Sequence, residues 1–383
     1  MPVKFIESDS SATIVLDVLE YVESSEERYF EVKSSSGDIS LRIEYIPITS
    51  SKWDIDRFQI FLFENPYLNA ENDVFEIFLD GLSERAGWIF PIAILESNEN
   101  DYTNYKNLNN YKFIAYSKML KEIIVTINGQ YSLEYYKLSD LFGNVMICLL
   151  SKDFTDKLTN FDIENYLLSS YSYGYNLHRK SIAAKQVYKR AEFINHMRCE
   201  RKRVSLQKSQ VKITSDPYLN ALFNEHLLQT ESHIARFVLL YQVIEQYMQV
   251  EFDFQFESQL TKYIDKKLFK NDFKESINNL SKERVLIREV FNKTIIDERI
   301  QLDFRAECNI LYTEIGIVSS HSILADLIYD IRNLITHSLR AIVAKTESIE
   351  RLVEIFERLI IDMLVNYSHP PLNAVAPAAT VTI

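Results

Sequence analysis

Leu324-Ala325-Asp326-Leu327-Ile328-Tyr329-Asp330-Ile331-Arg332-Asn333-Leu334-Ile335-Thr336-His337 is the stretch on which the reading of this chain turns. Residues of an α-helix advance by about 100° each. Leu324, Leu327, Ile328, Ile331, Leu334 and Ile335 then share one side. Asp326, Asp330, Asn333 and His337 fall in a narrow stripe opposite, flanked by Arg332. The expectation is a helix that buries its apolar face and offers a line of carboxylate, amide and imidazole on the other.

The sequence around it has the same texture. From Pro217 onward strand signals almost vanish, glycine occurs once, at Gly316, and apolar residues recur every three or four positions. Ala235 to Val250 reads as an amphipathic helix through Phe237, Leu240, Tyr241, Ile244, Tyr247 and Met248. Thr346 is an N-cap candidate for a last helix running to about Val365. Residues 217–367 are thus expected to be an all-α bundle. Pro370-Pro371 and the Ala/Pro-rich end mark 368–383 as a loose tail.

Upstream the period changes to two. Ile39-Ser40-Leu41-Arg42-Ile43-Glu44-Tyr45 alternates apolar and polar positions, the pattern of a half-buried strand. Asn128-Gly129, set between Ile123–Ile127 and Tyr131–Tyr135, reads as a hairpin turn. Residues 1–160 are expected to be a strand-rich mixed domain with some helix. Asp162–Ser170 and Lys180–Arg203 look helical, making 161–216 a helical basic connector. The fold class is α+β, and 383 residues are more than one core of roughly 250 residues accommodates.

Composition removes several kinds of function. The seven glycines form no GxG, so neither a P-loop nor a dinucleotide fingerprint can be written on this chain. Cys148, Cys199 and Cys308 are odd in number and far apart, which fits a reducing compartment and offers no CxxC zinc spacing. No basic start precedes an apolar stretch, and the longest uncharged apolar run, Gly87 to Leu95, is far below the ~20 residues of a membrane span. A soluble, cytoplasmic protein with no membrane partner is expected. A net charge of −12 argues against nonspecific coating of nucleic acid. The exception is the segment from Arg179 to Lys212, where Lys189, Arg190, Arg201, Lys202 and Arg203 are candidates for RNA contact. The same residues could instead form a solvated face paired with acidic neighbours.

Cutting RNA without a metal requires deprotonation of a ribose 2′-hydroxyl, stabilisation of charge on the phosphate, and protonation of the leaving oxygen. Histidine is the side chain whose protons exchange near cell pH. Arginine brings a permanently charged fork that fits phosphate oxygens, and asparagine orients either partner through hydrogen bonds. Arg332, Asn333 and His337 supply these types within two turns. No cofactor or metal is called for. Arg190 to His196 repeats the looser Arg-to-His spacing, but with Ala191 where the first match has Asn333.

Tyr329-Asp330-Ile331-Arg332-Asn333-Leu334-Ile335-Thr336-His337 resembles the signature helix of HEPN domains, in which Arg, a polar residue, three further positions and His lie on the penultimate long helix of a small bundle. The resemblance covers roughly Pro217 to Tyr367. It implies a metal-independent endoribonuclease that works as a homodimer, with the two Arg/His helices facing one another across a composite site. His337 would transfer protons, Arg332 would hold the scissile phosphate and Asn333 would orient the site. Asp330 and Glu245 are candidates for support, and Arg340 for RNA contact.

The substrate would be tRNA or another RNA with single-stranded regions. The biological setting would be anti-phage abortive infection or toxicity, with the N-terminal domain answering a phage-derived or regulatory trigger. HEPN toxins silenced by a nucleotidyltransferase carry Tyr two residues after the His, where this chain has Leu339, so that form of control is not expected. The alternative, from another class, is a noncatalytic dimeric scaffold or partner-binding protein.

Overall fold

The computed structural model describes residues 3–7, 13–24, 27–37, 40–46, 54–65, 74–97, 110–123, 125–129, 135–177, 203–317 and 323–368. The fold is α+β, strand-rich in the first half and helical in the second. Two compact units meet in sequence between Gln207 and Lys208.

The strands of the first unit are β1 (Val3–Glu7), β2 (Thr13–Glu23), β3 (Arg28–Ser34), β4 (Ser40–Glu44), β5 (Phe58–Glu64), β6 (Phe75–Leu79), β7 (Gly87–Pro91), β8 (Val125–Gly129), β9 (Tyr135–Tyr136), β10 (Met146–Ser151), β11 (Asn176–Leu177) and β12 (Arg203–Leu206). They form two sheets, in the orders β8-β1-β2-β3-β4-β9 and β11-β5-β10-β7-β6-β12. The period-two reading holds on β4, where Leu41 and Ile43 are buried and Arg42 and Glu44 exposed.

Helix α1 (Asn110–Glu122) contributes to a core shared with both sheets. Its Tyr116 stacks on Phe30 with ring centroids 5.6 Å apart and meets Tyr45 edge-on at 4.9 Å. Phe90, Ile147 and Leu149 of the second sheet belong to the same core. Every residue from Tyr111 to Leu120 is buried, so α1 has no polar stripe to mark its period. Even Lys112 is enclosed, its Nζ donating to the carbonyl of Ser97 at 2.8 Å.

Two expectations are corrected. Asn128-Gly129 is no hairpin turn, because β8 runs parallel to β1, Gly129 itself pairs with Glu7, and β9 pairs with β4 at the opposite edge of the sheet. The described part of 161–216 is also no separate connector. Ile163–Tyr166 and Leu167–Ser172 are helical as expected but pack within the first unit, and Asn176–Leu177 pairs with β5. Arg203–Leu206 is a strand parallel to β6 with Val204 and Leu206 buried, a two-residue alternation hidden at the end of a basic run. Lys208 already belongs to the second unit. The helix expected from Lys180 lies, up to residue 202, outside the described residues, as does the tail beyond residue 368.

The second unit contains α2 (His233–Ile264), α3 (Lys270–Leu280), α4 (Glu283–Asn292), α5 (Glu298–Glu314), α6 (Leu324–His337), α7 (Leu339–Ile342) and α8 (Thr346–Asn366). Helix α8 is the hub, packing Leu352, Val353, Phe356, Leu359, Ile360, Met363 and Leu364 inward against α2 and α5. Lys345, not Thr346, occupies its N-cap position. A buried ion pair joins its Glu357 to Arg236 of α2, which also donates to the carbonyl of Leu227. Helix α2 outruns the expected 235–250 at both ends, Ser232 capping it by accepting from the Ala235 amide at 3.4 Å. No helix among the described residues is long and apolar enough to cross a membrane.

Gly87 sits where a Cβ would lie 1.8 Å from the Leu149 carbonyl oxygen of the neighbouring β10. Gly87→Ala is expected to destabilise the first unit by about 3 kcal/mol or more in urea titrations, because the clash is with backbone that cannot yield. Cys148 and Cys308 are enclosed, and burial pushes both thiols up. Both are expected to resist iodoacetamide at neutral pH in the folded protein and to react once it is unfolded, as read by peptide mass spectrometry.

Candidate functional site

Helix α6 is placed by its two sides in different ways. Leu324, Leu327, Ile328, Ile331, Leu334 and Ile335 are all buried, as the period requires. The opposite stripe is divided. Asp326 is only 4 % exposed. Arg288 of α4 clasps it with both arms, Nε donating to Oδ1 at 3.0 Å and Nη2 to Oδ2 at 2.7 Å. One turn on, Arg284 Nη2 donates to Asp330 Oδ1 at 2.7 Å, and its Nε stands 3.9 Å from Asp326. Two arginines four apart on α4 therefore meet two aspartates four apart on α6.

The expected open line of carboxylate, amide and imidazole is thus corrected: both carboxylates are paired with α4 arginines, Asp326 buried and Asp330 partly solvated, and the imidazole beyond them faces outward. A charged, bidentate hydrogen-bonded pair outcompetes water for a carboxylate at a helix interface. Asp330 supports α6 through this contact with α4.

At the far end of α6, Asn333 is half-buried and His337, the last helical residue, is exposed. The two are four apart and share a face. Arg332 is about a quarter exposed and bends towards Asn333, Nη1 donating to its Oδ1 at 3.1 Å. Its Nε stands 3.5 Å from Glu283 Oε1, and its guanidinium lies 5.7 Å from the ring centre of Tyr241. The Tyr241 hydroxyl donates to the same Glu283 oxygen at 2.7 Å. Burial first, then that hydrogen bond, pushes the Tyr241 phenol above its ordinary range, so it stays a proton donor.

Glu283, which opens α4, is the residue that sequence reasoning missed. Glu245, a candidate for support that could equally be merely exposed, is exposed on α2, and no hydrogen bond or ion pair joins it to Arg332 or His337 among the described residues. A signal was present: Glu283-Arg284-Val285-Leu286-Ile287-Arg288 carries the complement of the Asp326, Asp330 and Arg332 charges in matching steps.

The remaining expected contacts are scattered. Arg340 is exposed on α7, three residues past His337. Arg203 belongs to the first unit, where it lies 4.0 Å from Glu76 and over the Phe78 ring at 4.8 Å. Lys189, Arg190, Arg201 and Lys202 lie outside the described residues, as does His196. His233 stands 3.8 Å from Glu350, and burial pushes its imidazole down. No group of three metal-capable side chains gathers among the described residues.

The chemistry available at the exposed end of α6 is an imidazole open to solvent, an amide and a fixed guanidinium charge, on one rigid helix. The α4–α6 ion pairs that fix that helix should be unequal in worth. Arg288→Ala, which removes both donors that grip the buried Asp326 carboxylate, is expected to lower the urea midpoint more than Arg284→Ala does. Arg284→Ala, whose partner Asp330 is partly solvated, is expected to cost under about 1 kcal/mol by urea denaturation. Equal losses would show that Asp326 does not depend on Arg288. Comparison with protein-family models, with curated proteins and with solved structures gives no match to this chain.

Proposed function

We propose that the helical unit is a metal-independent endoribonuclease of the HEPN type. The observation that carries this reading is the exposed His337 imidazole at the end of α6, on the same face as Asn333 and within one or two turns of the Arg332 guanidinium. In the reaction, an imidazole takes the proton of a ribose 2′-hydroxyl and the freed oxygen attacks the adjacent phosphorus. The bond from phosphorus to the 5′-oxygen breaks, and that oxygen leaves with a proton. The products are a 2′,3′-cyclic phosphate and a 5′-hydroxyl. Arg332 balances the extra negative charge on the phosphate, and Asn333 holds the guanidinium in place.

One histidine cannot be base and acid at the same instant, so the reading calls for a second α6 across a two-fold axis. The exposed Leu339 (42 %) and Val343 (60 %), next to His337, are suited to such a homodimer contact. The substrate is tRNA or another RNA with single-stranded regions, the setting is cytoplasmic anti-phage defence or toxicity, and the strand-rich unit responds to a trigger. A second reading, a noncatalytic dimeric scaffold, is favoured by one feature: Arg332 already has Glu283 and Tyr241 as neighbours, as a purely structural arginine would.

His337→Ala separates the two. The full-length protein is expected to cleave single-stranded RNA in EDTA, and the variant to lose at least about 100-fold in rate. The melting temperature should stay unchanged, because the side chain is exposed. Cleavage or cellular toxicity that survives the substitution rejects the nuclease reading. Arg332→Lys should also lose rate, since an ammonium cannot replace the planar fork.

A further inference from the structure

At the opposite end of α6 from His337 lies a cleft of about 320 Å³, walled by α4, α5 and the first turn of α6. Its polar lining is Arg288, Asn292, Thr294, Gln301 and Arg305. Thr294 and Gln301 are occupied locally, donating to the carbonyls of Val290 and Ile296 at 2.9 and 3.0 Å. Arg288 spends Nε and Nη2 on Asp326, whose two oxygens are both engaged by it. Arg305 differs: its Nε is buried without a hydrogen-bond acceptor, and no ion pair holds its guanidinium among the described residues. A guanidinium cannot shed its charge, so a buried, unanswered N–H of this kind is costly unless an acceptor comes to it.

The third wall adds the same sign. Leu324 and Ala325 open α6 against the cleft, and Ile323 at the N-cap offers no side-chain acceptor to the first amides. The end of a helix with free N–H groups carries partial positive charge. With Arg288 neutralised by Asp326, the cleft retains the Arg305 charge, the helix end and the exposed Asn292 amide on its rim. No carboxylate stands among the lining residues, and that of Asp326, on the first turn of α6, faces Arg288 with both oxygens.

We propose that this cleft binds a phosphate group, with Arg305 as its principal ligand. Leu324 and His337 are thirteen residues apart, or about 20 Å along the helix. A phosphodiester seated in the cleft would therefore anchor an RNA strand several nucleotides from the cut. The assignment of that phosphate to an RNA strand rests on the nuclease reading, while phosphate binding itself does not. The other source is the phosphate of a free mononucleotide acting on the same helix.

The test measures binding to the full-length protein, with no cleavage step. Orthophosphate, AMP and a single-stranded RNA of about 12 nucleotides, within the usual range of single-strand site sizes, are titrated calorimetrically. RNA is titrated into the His337→Ala protein so that it stays intact. Arg305→Gln is expected to weaken orthophosphate at least tenfold, and Arg305→Lys to retain part of the affinity. Arg299→Gln, an exposed arginine on α5 outside the cleft, should change nothing. Should Arg305→Gln fail to fold, Asn292→Asp, nearly isosteric and on the exposed rim, is expected to give the same loss.

RNA binding more tightly than AMP, with the same Arg305 dependence, assigns the phosphate to a strand. AMP binding as tightly as RNA assigns it to a mononucleotide. Absence of saturable orthophosphate binding, or equal binding by the Arg305 and Arg299 variants, overturns the proposal. A protein that binds phosphate through Arg305 yet cuts no RNA would keep the cleft and lose the nuclease.

Discussion

The two-rung contact between α4 and α6, Arg288 on Asp326 and Arg284 on Asp330, fixes the rotation of the helix that carries the candidate site. An amphipathic helix held only by apolar contacts can roll, because leucine and isoleucine pack acceptably over a wide arc. A carboxylate gripped from two directions by a planar guanidinium permits one angle. With Asp326 turned onto α4, Leu327, Ile331 and Leu334 must face the bundle interior, while Asn333 and His337, about two and three turns farther along, must emerge at its surface. The ion pairs cost desolvation and add little net stability compared with apolar packing. Their contribution is to orientation.

The same contact links the two ends of α6. Arg288 holds the first turn and lines the cleft, whereas Glu283, five residues earlier on α4, stands beside Arg332 and Tyr241 near the last turn. Helix α4 thus supplies a neighbour for each charged group on the polar side of α6. A change at Asp326 would alter both the guanidinium geometry of the cleft and the angle at which His337 leaves the bundle. The two ends are mechanically one element, which gives a physical route by which an anion at one end could bias the other.

Much of this was readable in the chain. The period of two on β4 and the period of 3.6 on α6 appear as written, and the buried face of α6 was assigned correctly at each of its six apolar positions. What escaped depends on partners distant in sequence. Asp326 and Asp330 look solvated until Arg284 and Arg288 are brought opposite, and nothing near Arg332 in sequence marks Glu283 as its neighbour. Helix α1 has no visible period because it is enclosed on every side from Tyr111 to Leu120, Lys112 and Lys118 included. Asn128-Gly129 carries strong turn chemistry, yet parallel pairing with β1 keeps Gly129 in a strand, an outcome that local propensity cannot see.

Charge sets a condition on how such a molecule could take RNA at all. The chain carries −12 overall, and along α4 and α6 three of the arginines, Arg284, Arg288 and Arg332, stand against Asp330, Asp326 and Glu283. Long-range attraction of a polyanion is therefore weak, and a phosphate must be won by close contact rather than by steering. Two groups suit that requirement. Arg332 meets Glu283 only at 3.5 Å, and Glu283 also accepts from Tyr241, so a phosphate approaching Asn333 competes with a carboxylate whose hydrogen bonding is already shared. Arg305, with its buried Nε unanswered, has no carboxylate paired with it among the described residues. On the proposed reading, acids placed against most of the arginines would make phosphate binding selective by position, because a strand touching the surface elsewhere would displace a carboxylate and gain little net charge compensation.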